Sequence, residues 1–192
     1  MGKVIVIVAA MTPDPDRVIG FGDTLPWNIP SDMGRFARIT RGFGNVLMGR
    51  ATFESLKGPL QGRQNLVMTR QSGANIKSQG GIPVHSPEMG VARAHGRAVC
   101  VIGGAEIYKL MLHRAEVLCM TFVYAPPLGN VRFPQVQWQD WKKIFEIPRQ
   151  GLDPRDEYET SFGIYVRPGS VVSHVILQTL EADVSLKPEK VV

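Results

Sequence analysis

Short apolar runs rich in β-branched residues recur along the chain, and each run ends in glycine, proline or a polar residue. Continuous apolar runs of this length are typical of strands that are buried on both faces of a sheet. They lie at residues 4–10, 45–48, 64–69, 98–102 and 117–123. Because short helix-like stretches separate these strands, the pattern predicts an α/β fold around a largely parallel sheet.

Four helix-like stretches fill the gaps between these strands. The first begins at Ser31, whose side chain is able to cap its own helix. The others cover residues 52–56, 88–94 and 105–112. Further along, the candidate strands 142–147, 162–166 and 171–180 have no helix between them. We therefore expect an antiparallel edge of the sheet at the C-terminal end.

Length, composition and cysteine placement indicate a single domain in a reducing cytoplasm. The chain has 192 residues, of which 44% are hydrophobic and 20% are charged. These values predict one compact domain over residues 1–181, followed by a tail at 182–192. The apolar start at residues 4–11 is too short to cross a bilayer. Cys100 and Cys119 both lie inside apolar runs, where a thiol behaves as a small core hydrophobe.

The charge pattern favours small anionic ligands. The formal net charge is +5, so the surface attracts anions. Lysine and arginine are scattered singly, without the basic runs and interleaved aromatic residues of a nucleic-acid groove. We therefore do not expect a nucleic-acid partner. The four histidines show no paired-ligand spacing, so no metal site is expected either.

A strand that runs into two glycines and then a helix is a candidate phosphate site. Residues 98–108 read AVCVIGGAEIY, with the pair at Gly103 and Gly104. Backbone N–H groups at such a turn face an anion, and glycine leaves room for a pyrophosphate. Turns of this kind also occur for packing alone, and the G-x-G-x-x-G pattern is absent. Arg50 and Arg70 follow two other strands, where they suit a phosphate monoester or are ordinary surface residues.

One carboxylate stands out as a candidate for acid–base or ligand chemistry. The proline-stiffened segment LPWNIPSD, residues 25–32, delivers Asp32 to a helix start beside Trp27. Phe36 lies one helical turn later on the same face. An aspartate near a helix N-terminus is also a common capping residue, and the spacing alone favours that simpler interpretation.

Taken in order, these segments resemble the dihydrofolate reductase family. The matching stretches are IVAA, RVIGFGDTLPWNIPSDMGRF, VLMGRATFESLKGPLQGRQNLVMTR, VIGGAEIYKL and CMTFV. The resemblance implies an α/β fold with a central, mostly parallel sheet of about eight strands, an antiparallel C-terminal edge and flanking helices. It also implies hydride transfer from NADPH to 7,8-dihydrofolate, which gives 5,6,7,8-tetrahydrofolate for one-carbon metabolism. Antifolates such as trimethoprim and methotrexate are then expected inhibitors.

The resemblance also assigns roles to single residues. Asp32 would hold the 2-amino group and N3 of the pterin, and Arg63 would bind the α-carboxylate of the substrate's glutamate. A raised pKa is expected for Asp32 because its pocket is apolar. The implied catalytic group is Asp32, Trp27, Leu25 and Thr121. The implied substrate-binding group is Val8, Asp32, Phe36, Arg63, Ile102 and Thr121.

A larger set of residues is implied to bind NADPH. The two glycines and Thr52 would take the pyrophosphate, and Arg50, Thr69 and Arg70 would surround the 2′-phosphate. The full set is Ala10, Ile19, Gly49, Arg50, Ala51, Thr52, Met68, Thr69, Arg70, Ile102, Gly103, Gly104, Ala105, Glu106, Ile107 and Tyr108.

The chain departs from the family pattern in three places. The segment 12–16, which leads into an expected mobile lid at residues 19–25, is longer and richer in proline than usual. Asn130 stands where the family typically has an aspartate that holds the lid closed. The last family strand fits residues 173–181 best, which makes 150–172 an inserted hairpin or loop. An alternative register places that strand at 162–167.

Two other functions remain to be separated from this one. The riboflavin-pathway pyrimidine reductase shares a related fold and NADPH, but it lacks the PWN-x-P-x-D segment. A reductase-like protein that binds without catalysis is the second alternative, although every position that the chemistry needs is filled here. A monomer is expected, with a dimer as the open alternative.

Overall fold

The alternation of strands and helices appears in a computed structural model of the protein. The structure describes residues 2–56, 58–149, 153–170, 177, 178 and 180. The strands within these residues are β1 (Val4–Met11), β2 (Val18–Gly20), β3 (Asn45–Gly49), β4 (Gln64–Met68), β5 (Ile82–Val84), β6 (Ala98–Gly103), β7 (Val117–Val123), β8 (Val131–Arg132), β9 (Lys142–Ile147) and β10 (Thr160–Val166). The helices are α1 (Pro30–Phe43), α2 (Arg50–Ser55), α3 (Ala74–Ser78), α4 (Pro87–Arg93) and α5 (Ala105–Met111), with 3-10 turns at Leu112–Arg114 and Trp138–Asp140.

Eight of these strands form one sheet in the order β5-β4-β3-β6-β1-β7-β10-β9. The first six run parallel, while β10 pairs antiparallel with both β7 and β9. The predicted fold class is therefore confirmed, including the antiparallel C-terminal edge. In a sheet of this kind, ligands bind at the carboxyl ends of the parallel strands.

Both faces of the central strands are buried. Along β1, Ile5 and Ile7 belong to one core cluster, while Val4, Val6 and Val8 belong to the other. Successive side chains of a strand point to opposite faces of the sheet. A strand that is covered on both sides therefore needs apolar residues at every position, which is why the sequence shows continuous runs rather than alternation.

The position of β10 corrects the expected placement of the C-terminal family strand. The strand lies at Thr160–Val166, where Phe162 pairs with Thr121 of β7 and Ile147 of β9. The preferred placement at 173–181 was wrong, and the alternative register was close. Most of 173–181 lies outside the described residues, but Leu177, Gln178 and Leu180 are helical. The segment 150–172 thus contains a central strand rather than only an insertion.

The sequence pattern did not predict several short strands and helices of the fold. Strands β2 and β8 form a separate antiparallel pair, with Val18 opposite Arg132 and Gly20 opposite Val131. The edge strand β5 and the helix α3 were also missed. Across the described part of the chain, every helix is too short or too polar to pass through a membrane.

Candidate active site

A cleft of about 440 Å³ opens at the carboxyl ends of β1 and β6. Its volume lies in the range of pockets that hold small molecules. Helices α1, α2 and α5 and the lid at residues 19–25 form its walls. The predicted site residues that line it are Val8, Ala10, Ile19, Leu25, Asp32, Phe36, Ala51, Thr52, Ile102, Gly104, Ala105, Tyr108 and Thr121.

Asp32 is the buried carboxylate of this cleft, with a side chain that is 14% exposed. Thr121 donates a hydrogen bond of 2.5 Å from its hydroxyl to Oδ1 of Asp32. Nη1 of Arg35 lies 3.5 Å from the same oxygen. Burial raises the pKa of Asp32, and the Thr121 hydroxyl and the Arg35 charge only partly oppose this shift. The expected direction of the shift is therefore confirmed.

A distant loop fixes the start of the helix that carries Asp32. Helix α1 begins at Pro30 after Ile29, and no side chain of that N-cap residue caps it. Instead, Ser31 donates from its backbone N–H (3.0 Å) and its hydroxyl (2.5 Å) to the carboxylate of Asp156. The expectation that Ser31 caps its own helix was wrong, because Pro30 lacks an N–H and the carboxylate reaches the next free donor.

The same loop also holds the segment before the helix. The backbone N–H of Asn28 donates to Oε2 of Glu157 at 2.9 Å, and the N–H of Glu157 donates to the carbonyl of Asn28 at 3.0 Å. These contacts join two parts of the chain that are more than 120 residues apart. The proline-stiffened segment is therefore pinned at a defined place relative to β10.

Tyr108 connects helix α5 to the floor of the cleft. Its hydroxyl donates to the carbonyl oxygen of Val8 at 3.0 Å, and its ring lies against Phe133. Burial raises the pKa of Tyr108, so this phenol stays a hydrogen-bond donor at neutral pH. A Cβ added at Gly103 would lie 2.8 Å from the tyrosine ring, and Gly103 has φ +103°. Only glycine fits this position without strain.

The candidate phosphate residues follow neighbouring strands. Gly49 of β3 pairs with Met68 of β4, and Met48 pairs with Gly103 of β6. The ends of three parallel strands therefore meet at one edge, as the sequence predicts. A Cβ at Gly104 would lie 3.2 Å from the Thr52 hydroxyl, so the two predicted pyrophosphate ligands are adjacent.

The arginines of this edge are exposed and differ in their partners. Arg50 forms a salt bridge with Glu54 through Nη1, at 2.9 and 2.8 Å from the two carboxylate oxygens. Arg70 is exposed beside Thr69, whose hydroxyl accepts from the backbone N–H of Gln71. These two arginines lie outside the lining of the cleft itself, as do Gly49, Met68, Thr69, Gly103, Glu106 and Ile107.

The lid is held against β8 in this structure. Besides the pairing of β2 with β8, Gly22 donates its backbone N–H to Oδ1 of Asn130 at 2.9 Å. The N–H of Asn130 donates to the carbonyl of Gly20 at 3.2 Å. Asn130 therefore joins the lid to β8 through hydrogen bonds in both directions.

The proline-rich entry to the lid is also tied down. Thr12 accepts a hydrogen bond of 2.9 Å from the N–H of Val18, which closes the intervening loop at its base. Asp14 accepts from the indole N–H of Trp138 at 2.8 Å and pairs with Arg17 at 2.9 Å. The longer segment 12–16 is thus a braced loop.

Two further predicted residues, Trp27 and Arg63, also lie away from the cleft lining. Trp27 is buried in a small cluster with Val18, Ile29 and Val123. Arg63 is half-buried, and its Nη1 donates to the Thr40 hydroxyl on α1 at 2.8 Å.

Several cleft-lining residues had no role in the sequence prediction, and Arg35 and Phe162 are among them. Arg35 lies one helical turn after Asp32, with its guanidinium 4.8 Å from the ring centre of Phe162. The i, i+3 spacing of Asp32 and Arg35 was a readable signal for a contact. Phe162 was missed because the last strand was placed elsewhere. Asp23 of the lid also lines the cleft but is exposed, so among the described lining residues Asp32 is the buried carboxylate.

Within the described residues, no group of three or more His, Cys, Asp or Glu side chains is close enough together to hold a metal ion.

Comparisons with known proteins agree with the geometry. A family model described as dihydrofolate reductase matches residues 4–167. The dihydrofolate reductase of Bacillus subtilis (strain 168) is 35% identical over 159 residues, which cover 82% of this chain and 92% of that protein. The Haemophilus influenzae protein of the same name is 34% identical over 153 residues, with 79% and 92% covered. A solved structure, dihydrofolate reductase from Enterococcus faecalis complexed with NADP(H) and RAB-propyl, has a TM-score of 0.75 at 28% identity and covers 86% of this chain and 96% of its own.

Proposed function

This chain belongs to the dihydrofolate reductase family, and from that premise we propose that its cleft transfers a hydride from NADPH to 7,8-dihydrofolate and releases 5,6,7,8-tetrahydrofolate. The observation that carries the proposal is the placement of Asp32. A buried carboxylate at the wall of a largely apolar cleft accepts hydrogen bonds from a ring that offers adjacent N–H donors. The 2-amino group and N3 of a pterin are donors of this kind.

The residues around the other half of the cleft fit NADPH. Gly104 has no Cβ beside the Thr52 hydroxyl, which leaves room there for a pyrophosphate. Arg50 and Arg70 supply cations at the edge where β3 and β4 end, which suits the 2′-phosphate that distinguishes NADPH from NADH. The carbonyl of Val8 and the apolar side chains of Ala10 and Ile102 suit the nicotinamide carboxamide and ring.

The chemistry of the bound cofactor is hydride donation from its nicotinamide C4, here to C6 of the pterin. Asp32 orients the pterin and polarises it, with Thr121 fixing the carboxylate from behind. Phe36 and Ile102 pack on the rings and exclude water, which strengthens every electrostatic contact inside the cleft. The proton that N5 needs comes from water that enters past Leu25, a lid residue that is 53% exposed.

A direct assay tests the proposal. The purified chain should oxidise NADPH only when dihydrofolate is present, as followed by the absorbance of the reduced nicotinamide. The riboflavin-pathway substrate should give no turnover. Retention on immobilised methotrexate without any NADPH oxidation would instead indicate a binding protein, and it would overturn the enzymatic assignment.

Replacement of Arg63 by leucine should raise the KM for dihydrofolate by about tenfold or more, with a small change in kcat. Its Nε and Nη1 donate to the Gln61 carbonyl and the Thr40 hydroxyl, and no carboxylate among the described residues pairs with the guanidinium, which suits it to the substrate's α-carboxylate. A remote clamp contributes mainly uniform binding, which affects KM. Steady-state kinetics with dihydrofolate and with a dihydropterin that lacks the glutamate tail measure the effect. The KM for the substrate without the tail should not change. Arg97→Leu, which replaces an exposed arginine, is the control.

Neutralisation of Arg50 or Arg70 should reduce the preference for NADPH over NADH by about tenfold, since a charge-assisted hydrogen bond contributes about 1.5–3 kcal/mol. The effect of Arg50→Gln should be the smaller one, because the Glu54 salt bridge already competes for its guanidinium. The ratio of kcat/KM for the two cofactors is the measurement. If both variants keep the wild-type ratio, the 2′-phosphate binds elsewhere.

The change Asn130→Asp should favour the closed lid and speed hydride transfer several-fold in single-turnover stopped flow. The Gly22 N–H would then donate to a charged acceptor, which is stronger than an amide by about 1 kcal/mol. The Kd for dihydrofolate should change little. A control variant, Glu157→Gln, tests the contact that pins Asn28. An unchanged rate in Asn130→Asp together with a slower rate in Glu157→Gln would mean that the loop at residues 153–157, and not Asn130, controls closure.

We also propose a cytoplasmic monomer, with one domain over residues 1–181 and no nucleic-acid partner. The exposed charged residues Lys142, Lys143 and Glu146 on the edge strand β9 discourage pairing with a second sheet. Both cysteines are buried and free, which fits a reducing compartment. Burial of Leu180 in the core cluster of Val4 and Val6 supports the domain boundary. Antifolates are expected to compete with dihydrofolate for the cleft, and sedimentation analysis tests the monomer.

A further inference from the structure

Arg35 is a buried cation in the wall of the pterin half of the cleft. The proposed reaction gives it no role. Its side chain is only 11% exposed. Nη1 lies 3.5 Å from Oδ1 of Asp32 and 3.4 Å from the Thr121 hydroxyl, and the guanidinium stacks over Phe162. Three contacts from three different elements therefore hold the charge next to the carboxylate that faces the ligand.

The charged groups around this pair are few. Arg35 is the cation nearest to Asp32, and Asp156, from the loop before β10, adds a negative charge to both. Arg38 adds a second positive charge near Arg35, and Tyr108 of α5 is neutral at ordinary pH. Any further positive charge that binds against Asp32 must therefore share one carboxylate with Arg35.

Two classes of heterocycle would respond differently to this shared carboxylate. A 2-amino-4-oxo ring, as in dihydrofolate, is neutral and offers only N–H donors to Asp32. A 2,4-diamino ring is more basic, and it pairs best with a carboxylate after taking up a proton on the ring. The protonated ring would lie within a few ångströms of the guanidinium, in a site where little water screens the repulsion.

We propose that Arg35 is a specificity-determining residue, whose charge weakens the binding of protonated 2,4-diamino rings at Asp32 relative to that of neutral 2-amino-4-oxo rings. The inference rests on the proposed function, since it assumes that Asp32 faces the ring. It adds to that function a discrimination by charge, which Asp32 and Thr121 alone do not supply.

The experiment measures the Kd of two probes, 2-amino-4-oxopteridine and 2,4-diaminopteridine, by titration of the full chain in the presence of NADPH. Arg35→Gln and Arg35→Met remove the charge, and the methionine keeps an apolar contact with Phe162. Both variants should bind the diamino probe about tenfold more tightly or better, while the oxo probe changes by less than about threefold. Arg35→Lys should keep most of the wild-type discrimination.

A matched control and a spectral readout separate charge from simple damage to the fold. Arg41→Gln removes an exposed charge from the last turn of the same helix and should change neither Kd. The ultraviolet spectrum of the bound diamino probe reports its protonation. Its apparent pKa on the protein should therefore be higher in the two charge-free variants than in the wild type.

The outcomes are distinguishable. Equal changes for the two probes, or an Arg35→Lys variant that behaves like Arg35→Gln, would overturn the role of Arg35. A wild-type chain that binds neither ring, or that fails to oxidise NADPH with dihydrofolate, would instead overturn the proposed function. Thermal unfolding of each variant establishes that the compared proteins are folded.

Discussion

Replacement of Asp32 by asparagine is expected to lower kcat by about a hundredfold or more at neutral pH, while NADPH binding stays close to wild type. An amide still accepts the Thr121 hydrogen bond, but its NH₂ group turns donors towards a pterin that itself offers donors. It also leaves the buried Arg35 without its anion. Stopped-flow hydride transfer and a fluorescence titration with NADPH measure the two effects separately.

A second aspartate, at an exposed site, provides the control for this prediction. Asp140→Asn makes the same chemical change at an exposed site in the turn Trp138–Asp140 and should behave as wild type. An Asp32→Asn variant that turns over at the wild-type rate would remove Asp32 from the mechanism. Equal losses of NADPH affinity and kcat would point to a damaged fold instead.

Replacement of Gly103 by alanine should weaken NADPH binding by about tenfold and lower the free energy of unfolding by about 1–3 kcal/mol. The backbone there has φ +103°, and the new Cβ would lie 2.8 Å from Cε2 of Tyr108. The tyrosine ring must shift, which disturbs the hydrogen bond of its hydroxyl to Val8 on the cleft floor. Denaturant unfolding and NADPH titration give the two numbers.

Gly44 separates backbone strain from the contact with Tyr108. It has φ +70° at the C-cap of α1, but a Cβ there would meet nothing within 4 Å. Gly44→Ala should therefore cost about 1–2 kcal/mol of stability and leave the Kd for NADPH unchanged. If both alanine variants affect NADPH equally, the close approach at Gly103 has no part in cofactor binding.

The main strands could be predicted from the sequence because a strand that is buried on both faces has a continuous run of apolar residues. Strands β1 and β7, with the two core clusters on either side, carry this signal over seven or eight residues. Strands β2 and β8 have only three and two residues, and such short elements exist because they pair with each other. No local pattern reveals that pairing.

For the site, as for the fold, local motifs could be recognised in the sequence but long-range contacts could not. The motif around Asp32 and the glycine pair located both halves of the cleft from local sequence. The contact of Asp156 with Ser31 joins residues 125 positions apart, and a local motif carries no information about it. The last strand was placed too late because residues 173–181 form an equally apolar run, and only the pairing of Phe162 with Thr121 decides between the two.

The clasp between Asp156 and Ser31 also bears on how the protein is made. Strand β10 is the last strand of the described residues, but it lies between β7 and β9 in the sheet. A nascent chain on the ribosome that ends before residue 156 therefore has an open edge at β7 and an uncapped helix α1, although Asp32 was synthesised long before. Synthesis of residues 156–166 thus sets the moment at which the Asp32 carboxylate acquires its final position, and a chain that terminates before them lacks both the Asp156 contact and strand β10.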